Sequence, residues 1–490
     1  MKEACGVFGV YAPGQAVAHL TFDGLYALQH RGQESAGMAV SDGESITVVK
    51  DMGLVTRVFD DRTLSGLHGH VAMGHTRYST HGTSDWRAAQ PVYRSWGASG
   101  FALGHNGNLT NTAALAERAG MLPGLVATDS DVVGELLARA CRDAVAEPPD
   151  TVVADALHEV LPLLDGAYSL VLVDADHLYG VRDPHGFRPL CLGRLGPEHA
   201  PSGWVLASES PALDVVGASF VRELDRGELV TIDETGVRSA PIHGAATPDP
   251  HLCIFEFVYF SRPDSRLYGR EVHGARRRMG ELLAEQAPAE ADLVMGVPEG
   301  GIPAAEGFAL RSGIPYGQGL VKNRYIGRTF IDPDSGARRD AVRRKLNPLR
   351  DNIAGKRLVV VDDSIVRGTT TRAIMGMLRE AGAAEIHVRI SSPPFRWPCF
   401  YGIDTPTRGE LLAATMSEEE IRRFLGVESL AYIELAALKE AIGAGDGRWC
   451  TACLTGRYPT SVPDEALAAD EDSAIEVALQ SALQGALPGV

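Results

Sequence analysis

The chain reads as a two-part protein of mixed α/β and α+β character, with a mostly parallel sheet in its second half. Three observations predict this. Its 490 residues are too many for one hydrophobic core of ordinary size. The second half alternates short apolar strands with helical stretches, the pattern of a parallel sheet covered by helices. Between the halves, the Pro/Gly/Ala-rich stretch 241–250 (PIHGAATPDP) breaks the pattern and marks a boundary.

The elements follow from local pattern. Residues 5–11, 167–174 and 204–208 are strand-like. Asp131 precedes the periodic apolar positions Val132, Val133, Leu136 and Leu137, which predicts a capped helix. In the second half, Leu293–Val297 is a short buried strand, followed by a glycine-containing loop and a helix from about Pro303. Arg357–Val361 is the next strand, followed by a loop and a helix from about Thr370 to Ala381 that stops at Gly382. Residues 384–391 form another strand, and the Ala- and acid-rich stretch 461–490 is weakly patterned.

Composition narrows the function classes. With 45% apolar and 22% charged residues, the chain matches an ordinary soluble globular protein. No apolar run approaches the roughly 18 residues of a membrane helix. The start, MKEACGVFGV, lacks an export signal, so a cytoplasmic protein is expected. The net charge of -17 opposes non-specific binding to nucleic acid, although a local basic loop can still hold a small phosphorylated ligand. Seven cysteines, an odd number without an export signal, suit catalysis or metal binding better than a disulfide scaffold.

Cys5 opens a series of four segments. The others are Gly74–Gly82 (GHTRYSTHG), Gly104–Leu109 (GHNGNL) and Thr128–Asp131 (TDSD). In this order they resemble the glutaminase domain of the N-terminal-nucleophile amidotransferases, over about 240 residues. The resemblance implies an αββα sandwich over residues 5–240. The chemistry agrees with it. A carboxamide is a poor electrophile, so its hydrolysis needs a thiolate, and a free α-amine beside the thiol can serve as base. Cys5 must then become the first residue, which predicts that residues 1–4 are a propeptide. The resemblance further implies that Arg77 binds the glutamine carboxylate and Asp129 its ammonium. Thr80 and His81 would line the pocket, and Asn106 with the Gly107 N–H would form the oxyanion hole.

A second constellation lies at 358–371, LVVVDDSIVRGTTT. A buried strand, two acids, a small-residue loop and a helix N-terminus suit a ribose phosphate. The string resembles the fingerprint of type I phosphoribosyltransferases. The basic stretches 321–331 (VKNRYIGRTFI) and 343–346 (RRKL) extend the likeness to the amidophosphoribosyltransferase family, which joins both domain types in this order. That family starts de novo purine synthesis, converting glutamine and 5-phosphoribosyl 1-pyrophosphate to 5-phosphoribosylamine, glutamate and pyrophosphate. The resemblance implies that Asp362 and Asp363 hold the ribose hydroxyls and help bind Mg2+. Ser364, Arg367, Gly368, Thr369 and Thr370 would cradle the 5′-phosphate. Lys322, Arg324, Tyr325 and Arg328 would close over the pyrophosphate. One position departs from the family: Gly300, in VPEGG, stands where a hydroxyl helps bind Mg2+. A homotetramer inhibited by purine nucleotides is also implied.

The pair Cys450 and Cys453 is a C-x2-C signal for metal or redox chemistry. With Cys253 and Cys399 it resembles the [4Fe–4S] ligands of one branch of the family, which would make 251–460 a phosphoribosyltransferase domain with a cluster-binding end. Spacing alone leaves zinc and iron–sulfur equally open. Cys141 and Cys191 read as core. A different amidotransferase would lack Asp362 and Asp363, and a salvage phosphoribosyltransferase has no use for Cys5, Arg77 and Asn106. A DNA-binding regulator is disfavoured by the acidic charge.

Overall fold

The computed structural model describes residues 5–78, 85–122, 124, 126–144, 151–242, 248–323, 343–405, 407–443 and 449–462. The proposed propeptide, Thr80, His81, Arg324, Tyr325, Arg328 and nearly all of the terminal stretch lie outside them.

The first half is a four-layer αββα sandwich. One antiparallel sheet has seven strands, in the spatial order Ser219–Glu223, Cys191–Leu195, Gly203–Ala207, Gly6–Tyr11, Val71–Arg77, Ser35–Ser41 and Ile46–Met52. The other has six: Gly236–Pro241, Glu228–Asp233, Leu178–Arg182, Gly166–Val173, Ser99–Leu109 and Val92–Trp96. Gly6–Tyr11 is buried along its whole length because each of its faces meets a different layer. Phe8 and Val10 pack under the helices Val17–Ala27 and Ser210–Val215, while Val7 and Tyr11 join Met73, Val171 and Leu206 between the sheets. Burial on both faces makes the strand a continuous run instead of an alternating one. Helices Asp129–Asp143 and Val152–Val160 cover the six-stranded sheet.

The cap of the first of these helices differs from the sequence expectation. Thr128 is the N-cap and accepts from the Asp131 N–H, while the Asp131 side chain accepts from the Thr128 backbone. Asp131 is thus the reciprocal partner in a capping box, with Asp129 in the first turn. Apolar periodicity marks the first buried apolar position, Val132, and the cap lies upstream of it.

The second half carries a four-stranded parallel sheet, ordered Leu293–Gly296, Arg357–Asp362, Glu385–Ile390 and Ser429–Tyr432. Val294, Val359 and Val361 face a core with helices Val272–Gln286 and Ile302–Ser312. Leu358 and Val360 face helix Thr369–Glu380 through Ile374 and Leu378. The short strands Leu320–Lys322 and Leu346–Pro348 pair antiparallel at the base of the basic segment. Among the described residues, no helix is long and apolar enough to cross a membrane.

The two halves meet through buried ions. Arg31 pairs with Glu209 of the sandwich and with Glu256 of the second half. Arg188 reaches Glu256 Oε1 at 3.0 Å and donates to the Tyr401 carbonyl at 2.8 Å and 3.1 Å. All four charged side chains are fully buried. Burial opposes the Glu209 carboxylate, but Arg31 and His30 overcome it and hold its pKa below the usual range. Removing one partner strands a charge in the interior, at a cost of about 3–5 kcal/mol. Glu256→Ala is therefore expected to lower unfolding stability by about that amount in chemical denaturation, whereas replacing the exposed Glu419, which pairs with Arg422 and Arg423, should leave it nearly unchanged because solvent screens the pair.

Candidate active sites

Strand register assembles the first site. Gly6 pairs with Thr76, so Cys5 emerges beside Arg77 at the end of the central strands. In the facing sheet Gly107 pairs with Tyr168. Helix Asp129–Asp143 brings its first residue to the same end, where Asp129 Oδ2 accepts from the Leu109 N–H at 3.1 Å. Cys5, Arg77, Gly107 and Asp129 thereby line one cavity of about 360 Å³.

The electrostatics are those of a prepared zwitterion site. Arg77 is 3% exposed and lies 3.8 Å from Glu34. Burial alone would raise the Asp129 pKa, yet His105 and the Leu109 and Ser130 N–H groups draw it down to about 2. Burial likewise opposes the charged His105 ring, but Asp129, 3.5 Å away, raises its pKa. The cavity lining thus includes a guanidinium, Arg77, and a carboxylate, Asp129, whose pKa is held low. His105 was not singled out from the sequence, although it stands inside the quoted GHNGNL segment. Its role needs the contact with Asp129, which pattern alone does not reveal.

Cys5 Sγ lies 3.6 Å from the Tyr78 carbonyl. Burial pushes its pKa up, while Arg77 and Arg188 work in the opposite direction. A thiol in this setting needs a local base. Asn106 is 1% exposed, and neither its side-chain oxygen nor its nitrogen has a hydrogen-bond partner among the described residues. An orphaned buried amide costs about 1–3 kcal/mol, which a ligand oxyanion would recover. Gly107 has φ 153°, and a Cβ there would lie 2.0 Å from the Ala167 carbonyl oxygen.

The second site sits at the carboxyl end of Arg357–Asp362, where open parallel sheets bind ligands. Ser364 Oγ donates to Asp363 at 2.6 Å. Gly368, at φ 71°, is the N-cap of helix Thr369–Glu380 and gives it no side-chain cap, so the N–H groups of its first turn, including those of Thr369 and Thr370, are open to a phosphate. Burial raises the pKa of both carboxyl groups, and for Asp362 the neighbouring Asp363 adds to it. Two adjacent acids in this state are suited to a cation or to ribose hydroxyls. Gly300 has a spatial reason: a Cβ there would stand 1.9 Å from Asp363 Oδ2. The carboxylate fills the space that a side chain would need. Lys322 pairs with Glu299 at 3.5 Å, beside this loop. Arg367 turns to Glu410, at 3.2 Å and 3.3 Å, and anchors the phosphate loop from outside.

The four cysteines come together from three parts of the chain. Cys253 and Cys450 are paired residues of a short parallel bridge, and the Cys453 carbonyl accepts from the Arg396 and Trp397 N–H groups, just before Cys399. All four are buried, and Cys253, Cys399 and Cys450 all add to the upward pKa shift that burial imposes on Cys453. Among the described residues, no group of three or more His, Cys, Asp or Glu side chains converges on a single metal-ion position. Cys141 and Cys191 are buried in the sandwich, in a helix and a strand respectively.

Comparison with known proteins agrees with this two-site layout. Residues 75–215 match the glutamine amidotransferase domain model and 269–391 the phosphoribosyl transferase domain model. Amidophosphoribosyltransferase of Mycobacterium leprae is 53% identical over 99% of this chain and 86% of its own length. That of Bacillus subtilis is 43% identical over 94% of this chain and 95% of its own. The chain belongs to the amidophosphoribosyltransferase family. A solved structure described as the allosteric regulatory enzyme of purine biosynthesis superposes with TM-score 0.86 at 42% identity, covering 94% of this chain and 97% of that one. Glutamine phosphoribosylpyrophosphate amidotransferase from B. subtilis, complexed with ADP and GMP, gives TM-score 0.85 at 42% identity, with 94% and 98% covered.

For an amidophosphoribosyltransferase, the Gly107 geometry makes a direct prediction. Gly107→Ala should reduce glutamate release from glutamine by about 100-fold or more, while the ammonia-dependent reaction continues at its usual rate.

Proposed function

We propose that this chain hydrolyses glutamine at Cys5 and passes the ammonia to 5-phosphoribosyl 1-pyrophosphate held at Asp362–Thr370. The observation that carries this reading is the convergence of Cys5, Arg77, Gly107 and Asp129 on one cavity, in a chain that also carries the acidic phosphate loop. Arg77 takes the substrate carboxylate and Asp129 its ammonium, which leaves the carboxamide facing Cys5. The Cys5 sulfur adds to the carboxamide carbon. The Gly107 N–H and the orphaned Asn106 amide stabilise the oxyanion. The C–N bond then breaks, ammonia takes up a proton relayed from the thiol, and water cleaves the thioester to glutamate. The base is the Cys5 α-amine, exposed by removal of residues 1–4. Thr80 and His81 would complete the pocket.

At the second site ammonia attacks the anomeric carbon and pyrophosphate departs. Asp362 and Asp363 hold the ribose hydroxyls, and Ser364 to Thr370 receive the 5′-phosphate. Lys322, with Arg324, Tyr325 and Arg328, neutralises the leaving group. Mg2+, when bound, supplies the remaining positive charge, and the Asp362–Asp363 pair suits it without a hydroxyl at 300. Cys253, Cys399, Cys450 and Cys453, all buried, would be the ligands of a [4Fe–4S] cluster, since such clusters are held by four cysteine thiolates. Such a cluster would join Cys253 to the C-terminal segment. The proposed protein is a cytoplasmic homotetramer inhibited by purine nucleotides; the ADP and GMP bound to the B. subtilis relative support the nucleotide part of this reading.

Cys5→Ala should abolish glutamine-dependent synthesis and keep synthesis from ammonium salts; loss of both would overturn the two-site reading. Intact mass of the active enzyme should begin at Cys5, and a retained Lys2 or Glu3 would remove the amine base. The purified protein should be brown, with iron and sulfide in equal amounts, whereas a colourless protein with stoichiometric zinc would refute the cluster.

A further inference from the structure

The glutamine cavity is not made by the amidotransferase half alone. Phe400, from the second half, lines it together with Cys5 and Asp129. The segment that carries Phe400 touches the oxyanion strand directly. Asn108 Nδ2 donates to the Phe400 carbonyl at 2.9 Å. Gly402, at φ 95°, lies so close that a Cβ there would come within 2.8 Å of the Gly107 backbone. The same segment is held from behind. The Phe400 ring packs edge-on against Tyr458, with centroids 5.2 Å apart, and the Tyr458 hydroxyl donates to the Pro398 carbonyl at 2.8 Å. Tyr401 stacks on Phe187 at 4.3 Å, and its carbonyl accepts the buried Arg188 guanidinium.

We propose that the segment Cys399–Gly402 is part of the glutamine site: Phe400 is a substrate-contacting wall that sets glutamine affinity, and Gly402 is a positioning residue that holds the Gly107 oxyanion donor. The inference rests on the glutamine reading of the cavity. Its physical basis is the division of labour between the two residues. An aromatic ring at a cavity wall contributes binding through buried apolar area and through exclusion of water from the fixed charges of Arg77 and Asp129. It does not act on the reacting bond, so its removal raises KM. Backbone contact with Gly107 acts where the negative charge develops, so a push there lowers kcat. The Cys399 thiol immediately precedes this wall, and Cys453 sits on the segment that backs it. Order in the cysteine region is thereby transmitted to glutamine binding through covalent neighbours, without any electron transfer.

Steady-state kinetics on the full-length enzyme test this. Phe400→Ala is expected to raise KM for glutamine about tenfold or more and to leave kcat within about twofold. Phe400→Tyr should restore most of the affinity. Gly402→Ala should lower glutamine-dependent kcat about tenfold or more with a smaller change in KM. Ammonia-dependent synthesis should be unchanged in all three, which also reports correct folding of the second half. An unchanged KM in Phe400→Ala, or a parallel fall of the ammonia-dependent rate, would overturn the proposal. If Gly402→Ala does not fold, the Phe400 pair decides alone. Should Cys5→Ala retain glutamine use, the glutamine reading itself fails. A working Cys5 site with indifferent Phe400 variants sinks only this inference.

Discussion

Buried charge complementarity between Arg31, Glu209, Glu256 and Arg188 is the constraint on which the arrangement of both sites depends. Each guanidinium is shared between strands or helices that are far apart in sequence, and each carboxylate has more than one donor. Glu209 also receives the His30 ring at 2.7 Å and the Arg262 N–H at 2.9 Å. Ser261 donates to Glu256 at 2.8 Å. A buried ion set of this kind contributes little net stability over a well-packed apolar core, but it tolerates only one geometry. Here that geometry fixes the second half against the open end of the sandwich, where Cys5 stands. Arg188 then links the charge set to the Tyr401 carbonyl, and so to the glutamine pocket.

The two sites use burial in opposite ways. In the cavity at Cys5, burial is overcome: His105 and two backbone N–H groups draw the Asp129 pKa down against it. In the acidic loop burial prevails: it raises the pKa of both Asp362 and Asp363, and the neighbouring Asp363 adds to the effect on Asp362. Gly300 lies against the same pair, since a Cβ there would meet the Asp363 carboxylate in its present position.

Much of this was legible in the sequence because it is local. The strand–acid–loop–helix unit at 358–371 carries its own geometry, and both the strand ending at Asp362 and the helix beginning at Thr369 lie within a residue or so of where pattern sets them. Cys5, Arg77 and Asp129 were legible as residue types in ordered segments. The helix cap at Thr128 was missed because apolar periodicity marks where burial starts, one turn after the chain turns helical. His105 was missed because its significance is a contact with Asp129 across two elements. Phe400 was invisible for a stronger reason: it lies in the other half of the chain, almost three hundred residues from Asn108.

By itself, then, the sequence determined the fold class, the order of the two chemistries, the acidic phosphate loop and the set of thiols, since each depends on short-range pattern and side-chain identity. Tertiary structure alone decided which carboxylate faces which cation, that position 300 lies against the Asp363 carboxylate, and that the cavity at Cys5 takes a lining residue from the second half. Those outcomes come from strand register and from contact between distant surfaces, and neither leaves a periodic trace along the chain.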